Sequence, residues 1–504
     1  MVPSGPQTAP PAPDPREALA AWYLRRRHRG VWLLPLTAAL VVFVGLLFLR
    51  GMAGDPQTNL RASRAALLAL VPPDVPTGEN AADDYALADK ARVAYVQAPG
   101  SLHPYDSPKA DSSRFDNPAV QTHVANNAAA IQHLYAGAAK TRCNWGVDYS
   151  LGYARPGYLS QQDDNTWLLC VHARVAAHAG DHKAAAKSCE ASYKLAEHVS
   201  ATPLLYCANR FSTHVECADN VVQSIVTWDT PTTLDDLAVY RKAVRQRRDP
   251  QAMAARILAG DKAFGLYTVD AVAAGAIRPR GLTESLDRLA PGKGASLLYG
   301  SERQSLRAVI DEMAASVSRG EWLTRAQARD LVARHQTGPA TLALEAMSAY
   351  AWNFESFAQS EERARTIDAG LAFLQFRVTY GRDAKLLDEL VPKFLAAVPT
   401  GVFHAAPLRL TVDPRGVART DLSTGKQSWY NSGTIRIYAL GPNGKDDKGY
   451  SRDGDDGHFS QHPSDDTVFR VPPMKTSAPG EKTPGKPHRV LPHEKTSAPA
   501  EKTP

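Results

Sequence analysis

The sequence predicts a mainly α chain: one membrane-spanning helix at 30–49, an irregular helical body over 55–338, and a long helix leading into a small α+β domain over 339–472. Three observations predict it. Residues 30–49 (GVWLLPLTAALVVFVGLLFL) carry no charge and are bounded by Arg29 and Arg50. Apolar residues then recur at three- and four-residue spacing to about position 380, with Pro and Gly mainly between the segments. Short alternating runs follow at 408–412 and 433–438, as strands require.

Residues 1–29 begin with a Pro-rich stretch (Pro3, Pro6, Pro10, Pro11, Pro13, Pro15) and end in a basic cluster. The apolar run behind it covers roughly 30 Å as a helix, the thickness of a bilayer's hydrocarbon core. Arg16, Arg25, Arg26, Arg27 and Arg29 precede the run, and only Arg50, Arg61 and Arg64 follow it closely. This asymmetry keeps the N-terminus in the cytoplasm and puts the bulk of the chain outside it. A cleaved signal peptide shares the basic-then-apolar order, but its core is usually about 7–15 residues and ends in an A-x-A-like site. Here the core is longer and Arg50-Gly51-Met52-Ala53-Gly54 comes next. Pro35 is tolerated near the start of a helix, where backbone N–H groups lack intrahelical partners. Membrane lipid is therefore the expected partner of residues 30–49.

A chain of 504 residues, 44% hydrophobic and 22% charged, can bury a sizeable core. Its net charge of +6 is small for this length and gathers in the juxtamembrane cluster and the tail. No nucleic-acid surface follows from it, and anionic lipid beside residues 25–29 is the simpler partner. The five cysteines, Cys143, Cys170, Cys189, Cys207 and Cys217, fall within 75 residues. Outside the cytoplasm they can form one or two disulfides with one thiol left over, and a Cys170–Cys189 clip between two helices is one of several pairings. A zinc reading would draw on His214-Val-Glu-Cys217, Cys207, His172, His178 and His182, but no C-x-x-C or H-E-x-x-H frames them. Buried thiols and surface histidines are the alternative.

Within the body, 118–140 and 233–247 read as helices, the second opening with Thr233 and Asp236 at capping-box spacing. The Pro-, Ser- and Asp-rich loop at 98–118 separates the first helices from the rest. A helix pair at 165–178 and 182–198 is joined by Ala179-Gly180-Asp181. Its Leu169, Ala173, Ala176, Gly180, Asp181, Ala185, Ala191 and Tyr193 resemble one tetratricopeptide-like hairpin. No repeat of about 34 residues surrounds it, so an irregular helical domain with one alanine-rich hairpin stands beside that reading. The long helix at 339–380 carries a core stripe of Leu344, Met347, Tyr350, Phe354, Phe357, Ile367, Leu371, Leu374 and Val378.

After the long helix come Leu387-Asp-Glu-Leu390-Val-Pro392, the two alternating runs, then Tyr438-Ala-Leu440-Gly-Pro-Asn443-Gly-Lys-Asp446-Asp447-Lys-Gly449, and last Asp465-Asp466-Thr-Val-Phe469. This order resembles the globular domain of the major pseudopilin of type II secretion, as it recurs at the end of uncharacterised bacterial single-pass membrane proteins. The resemblance covers about 363–472 and implies a helix packed on a small antiparallel sheet, with a loop that binds Ca²⁺ after the last long strand. Carried over position by position, it implies a backbone oxygen from Leu440, a side-chain oxygen from Asn443 and carboxylates from Asp465 and Asp466, with Asp446 or Asp447 nearby. It also implies a bacterial cytoplasmic membrane as the address. Independently, the loop offers seven aspartates from 446 to 466. Gly441, Gly444, Gly449, Gly454 and Gly457 let its backbone turn inward, and calcium takes about six to eight oxygen ligands in flexible loops. A solvated acidic turn is the alternative. Asn443 stands where that family usually has Asp, 450–463 is inserted, and the family's processing signal before the apolar run is absent.

The tail at 473–504 is low complexity, KTSAPGEKTP at 475–484 returning as KTSAPAEKTP at 495–504, and cannot bury enough apolar area to order itself. No G-x-S-x-G, P-loop or G-x-G-x-x-G frames an enzyme, so no catalytic residue is assigned. Asp163-Asp164 and Glu361-Glu362 read as solvated helix faces. The expectation is a membrane-anchored, extracytoplasmic binding or scaffold protein with a structural calcium site, its partner an envelope protein or polymer. An accessory component of a type II secretion or type IV pilus-like machine is the second expectation. An envelope enzyme with an unrecognised active site is the third.

Overall fold

Side-chain caps open several helices of the body. In the computed structural model Asp55 accepts the Thr58 N–H at 2.9 Å and opens α1 (Pro56–Leu68), and Asn80 accepts from Ala82 at the head of α2 (Ala81–Ala91). Asn117 does the same for α3 (Pro118–Asn126). Such caps satisfy N–H groups that the first turn leaves without partners. The residues described are 55–94, 117–149, 157–228, 231, 233–246, 249–276, 294–335, 342–412, 418–420, 427–429, 433–449 and 466–474. Among them no helix is long and apolar enough to cross a membrane. The apolar run at 30–49, the loop from 98 to 116, Asp465 and the repetitive tail lie outside the described residues.

The segment read as one helix at 118–140 is two, α3 and α4 (Ala128–Ala139), divided at Asn127. The buried Asn127 amide donates to the His123 and Val93 carbonyls at 2.9 and 3.1 Å and accepts the Val93 N–H at 2.8 Å. A short polar side chain that bonds backbone in this way competes with the helical ladder.

The expected hairpin is present as α5 (Leu159–His178) and α6 (His182–Val199). Gly180 adopts φ +82° in the turn, a conformation open to a residue without Cβ, and Asp181 caps α6 through the Ala184 N–H. Ala173, Ala176 and Ala177 of α5 and Ala185, Ala186 and Cys189 of α6 are buried in one cluster. α7 (Leu205–Trp228) packs on both helices. Thr233 opens α8 (Leu234–Arg245) as its spacing predicts, its hydroxyl accepting the Asp236 N–H at 3.1 Å. α9 (Pro250–Ala273) packs against α1 and α10 (Gly294–Ser318), and α11 (Arg325–His335) leads to α12 (Leu342–Tyr380).

α12 is the element on which body and sheet meet. Its Phe354, Phe357, Ile367, Leu371 and Leu374 are buried in the cluster that also holds Val222 and Ile225 of α7 and Ile437 and Phe469 of the sheet. Asp368 of α12 takes both Arg241 and Arg245 of α8, at 2.9 and 2.8 Å. A second cluster, around Tyr85, Leu134, Leu168 and Phe264, holds the N-terminal helices together.

A 3₁₀ turn at Leu387–Leu390 follows α12. Three strands then form an antiparallel sheet in the order β1 (Arg409–Val412), β4 (Ile435–Ala439), β5 (Thr467–Val471), and β2 (Ala418–Thr420) pairs with β3 (Gln427–Trp429) in a separate ribbon. Leu410 faces Ile437, and Ile437 faces Phe469 across the next pair. The strands expected at 408–412 and 433–438 are β1 and β4. β4 and β5 are buried throughout, because Ile437 and Phe469 point to α12 while the opposite face, with Arg436, Tyr438 and Val468, is covered by the chain at Gly449.

Candidate functional site

One carboxylate closes the acidic loop. Past the end of β4 the Gly441 N–H donates to Asp466 Oδ1 at 3.3 Å, and at the far side of the turn the Gly449 N–H donates to Asp466 Oδ2 at 3.1 Å. Gly444, Lys448 and Gly449 take φ of +67°, +55° and +67°, which curls residues 441–449 back over the sheet. A Cβ on Gly449 would lie 3.1 Å from Val468 Cγ2. Only a glycine combines that backbone conformation with so close an approach.

Asp466 is wholly buried. Burial pushes its carboxyl up to about 6, the neighbouring charges of Asp447 and Asp446 push the same way, and the two glycine N–H groups oppose them. Asp447 is half-buried and makes no hydrogen bond or ion pair with another described residue. Asp446 is committed elsewhere: it accepts from the Tyr438 hydroxyl at 3.1 Å, from the Lys448 N–H at 2.9 Å and from the Arg409 guanidinium. Burial alone would raise the Asp446 carboxyl, but those three donors outweigh it and hold the group below the ordinary carboxylate range. Asn443 Oδ1 accepts the Lys445 N–H at 2.7 Å, a side-chain turn within the loop. Leu440 is half-buried at the loop's entrance, beside Gly441.

Leu440, Asn443, Asp446 and Asp447 lie along one turn, which Asp466 at the head of β5 joins through Gly441 and Gly449, and Asp465 lies outside the described residues. Among the described residues no group of three or more His, Cys, Asp or Glu side chains is disposed to hold a metal. The chemistry at Asp466 nonetheless fits a cation. A buried carboxyl with two like charges beside it favours a cation, and Asp447 makes no ion pair with another described residue. Asp446 fits less well, since Arg409 already neutralises it.

A second buried carboxyl stands behind the loop and was not legible as such. Glu362 of α12 is wholly buried and accepts the Val402 and Phe403 N–H groups at 2.9 and 3.4 Å. Burial pushes it up to about 7, against the N–H groups of Val402 and Phe403 and the Thr467 hydroxyl. The next residue, His404, donates from Nε2 to the Gly441 carbonyl at 2.9 Å, so the two loops are joined. Reading Glu361-Glu362 as a solvated face therefore fails at Glu362, which the backbone at 402–403 buries. The available signal was its helical row, in which Ala358, Thr366 and Gly370 flank it at four-residue steps.

The histidines and thiols of the zinc reading are spread through the body. His172 Nδ1 meets Ser188 Oγ at 2.7 Å, His182 meets the Tyr240 hydroxyl at 3.2 Å, and His214 Nε2 meets Asp163 at 2.9 Å. All five cysteines are free thiols, Cys170 and Cys189 included. Compared with protein-family models, with curated proteins and with solved structures, the chain matches none.

Proposed function

We propose that the chain is a membrane-anchored, extracytoplasmic binding or scaffold protein whose C-terminal α+β unit is stiffened by a structural calcium ion. The observation that carries this reading is the Asp466 carboxylate, buried beside Asp447 and tied by Gly441 and Gly449 to both ends of the loop. Asp466 and Asp447 would hold the ion, with oxygens from Leu440 and Asn443 and from Asp465. Bound there, calcium would set positive charge against Asp466 and Asp447 and fix a loop that otherwise loses conformational freedom on folding. The uncharged run at 30–49 and the arginines before it support the anchor and its orientation.

Calcium titration calorimetry on the full-length chain tests the ion, and protease added to spheroplasts tests the topology. The reading expects one binding event that Asp466→Ala removes, and digestion of the body from outside. Absence of calcium heat, or a body protected until the cells are lysed, contradicts it.

A second reading, an accessory component of a type II secretion or pilus-like machine, is favoured by the order of α12, antiparallel sheet and acidic loop. Co-purification of secretion-machine subunits supports it. Unchanged membrane retention and stability in a cell without such a machine counts against it.

A further inference from the structure

The two sides of α1 differ in an uncommon way. On one side Leu67 is buried, Leu60 and Leu70 pack on the second cluster, and the helix lies against α9. Water-facing helix sides are ordinarily charged or polar, but the other side of α1 is not. Arg61, Arg64, Ala65 and Leu68 fall at i, i+3, i+4 and i+7, which sets them on one face, and all four are exposed. Leu68 is 48% exposed, and Val71, just past the end of the helix, is 41% exposed. The other exposed positions from Arg61 to the C-cap are alanines, and no acidic residue occurs between Pro56 and Val71. An exposed apolar strip with two guanidinium groups is left for a partner.

The place of α1 in the chain points to that partner. The uncharged apolar run ends at Leu49, and residues 50–55 separate it from Pro56. Even fully extended, that connection reaches about 20–25 Å. α1 is itself about 20 Å long and a headgroup layer is about 5–8 Å deep, so the helix can lie along the bilayer surface without straining the connection. Basic side chains beside an apolar strip are the composition of helices that lie in the membrane interface, with the apolar groups at the acyl-chain boundary and the cations at the level of the phosphates. Neither Arg61 nor Arg64 makes an ion pair with another described residue, so both can donate to lipid phosphate.

We propose that the face of α1 formed by Arg61, Arg64 and Leu68, continued by Val71, docks on the extracytoplasmic leaflet of the membrane that holds residues 30–49, with anionic phospholipid as its partner. The inference rests on the anchor proposed above and adds a second, peripheral contact to it. Leu68 and Val71 enter the acyl-chain boundary, while the Arg61 and Arg64 guanidinium groups donate to phosphate oxygens. Because the opposite side of α1 is packed on α9, docking fixes how the helical body sits on the bilayer instead of leaving it on a loose tether.

The experiment uses the full-length chain with the half-buried Cys217 changed to serine, the other four thiols being buried. A thiol-reactive NBD fluorophore is placed at Leu68→Cys or, separately, at Val71→Cys, both exposed positions. The labelled chain is put into nanodiscs of phosphatidylcholine, or of equal parts phosphatidylcholine and phosphatidylglycerol, containing a lipid with a nitroxide near the acyl-chain boundary. The proposal expects at least about twofold quenching at both positions in the mixed discs and less in phosphatidylcholine alone. Arg61→Glu/Arg64→Glu should stay in the discs and lower the docked-to-undocked ratio at least about thirtyfold. A chain that stays in the discs with its label unquenched, or quenched equally in the two lipids or after the double substitution, overturns the docking and leaves the anchor standing. Loss of the chain from the discs overturns the anchor and the docking with it. Shielding of the label that grows with protein concentration in detergent assigns the strip to a second copy of the chain and overturns the proposal as well.

Discussion

Gln223 of α7 exchanges two hydrogen bonds with the backbone of Arg470 in β5, donating to its carbonyl and accepting its N–H, both at 2.8 Å. A helix side chain here does what a neighbouring strand would do, and β5 has no partner strand beyond it in the three-stranded sheet. Both groups are buried, so neither can turn to water. Gln223→Ala would strand a buried donor and a buried acceptor and should cost about 2–4 kcal/mol in urea unfolding. A loss below about 0.5 kcal/mol would mean that water reaches β5's edge.

Gly370 of α12 lies against the ring of Phe469, where a Cβ would stand 2.0 Å from Phe469 Cδ1. The sheet approaches the helix this closely because the helix has no side chain there. Gly370→Ala should destabilise the chain by about 1–3 kcal/mol through overpacking, although alanine is the better helix former. Adding Phe469→Leu should recover part of that loss. If the double mutant shows the plain sum of the single losses, the contact is not the cause.

Glu362 makes stability depend on pH in a stated direction. Its carboxyl rises from 4.5 to about 7 on folding, so the folded chain holds this proton more tightly than the unfolded one. The contribution is fully present below about 4.5, falls as pH rises, and is gone above about 7, an effect of order 3 kcal/mol. Asp466 adds a similar slope between 3.8 and about 6, and His172 and His214, which burial lowers from 6.5, oppose it, so Glu362 is isolated as the difference between the unmutated chain and Glu362→Gln. Urea unfolding in EGTA should show the unmutated chain losing more stability than the variant as pH rises from 4.5 to about 7. Glu362→Gln keeps an oxygen for Val402 and Phe403, and equal losses in the two chains would assign the slope to another group.

Local signals in the sequence carried the helical body well. Thr233 caps α8, Gly180 and Asp181 turn the α5–α6 hairpin, and Phe354, Phe357, Ile367, Leu371 and Leu374 of the expected stripe are core, because each of these depends on neighbours a few residues away. Val378, read as part of the same stripe, is exposed. β5 was legible only as an acidic-apolar motif: a strand buried on both faces shows no alternation. Glu362 and Asp163 were misread as solvated because what buries or pairs them is distant in sequence, the Val402 N–H in one case and His214 and Arg210 in the other. In the acidic loop the residue types pointed to Asp466, but the fold alone reveals that Arg409 already engages Asp446.

Thermal unfolding of the full-length chain in EGTA and in millimolar Ca²⁺, with an Asp466→Ala variant alongside, tests the calcium reading most directly. The account predicts a rise in Tm of a few degrees with calcium in the unmutated chain and none in the variant. An unmutated chain that melts at the same temperature at every calcium concentration, or a variant that gains as much as its parent, would contradict it.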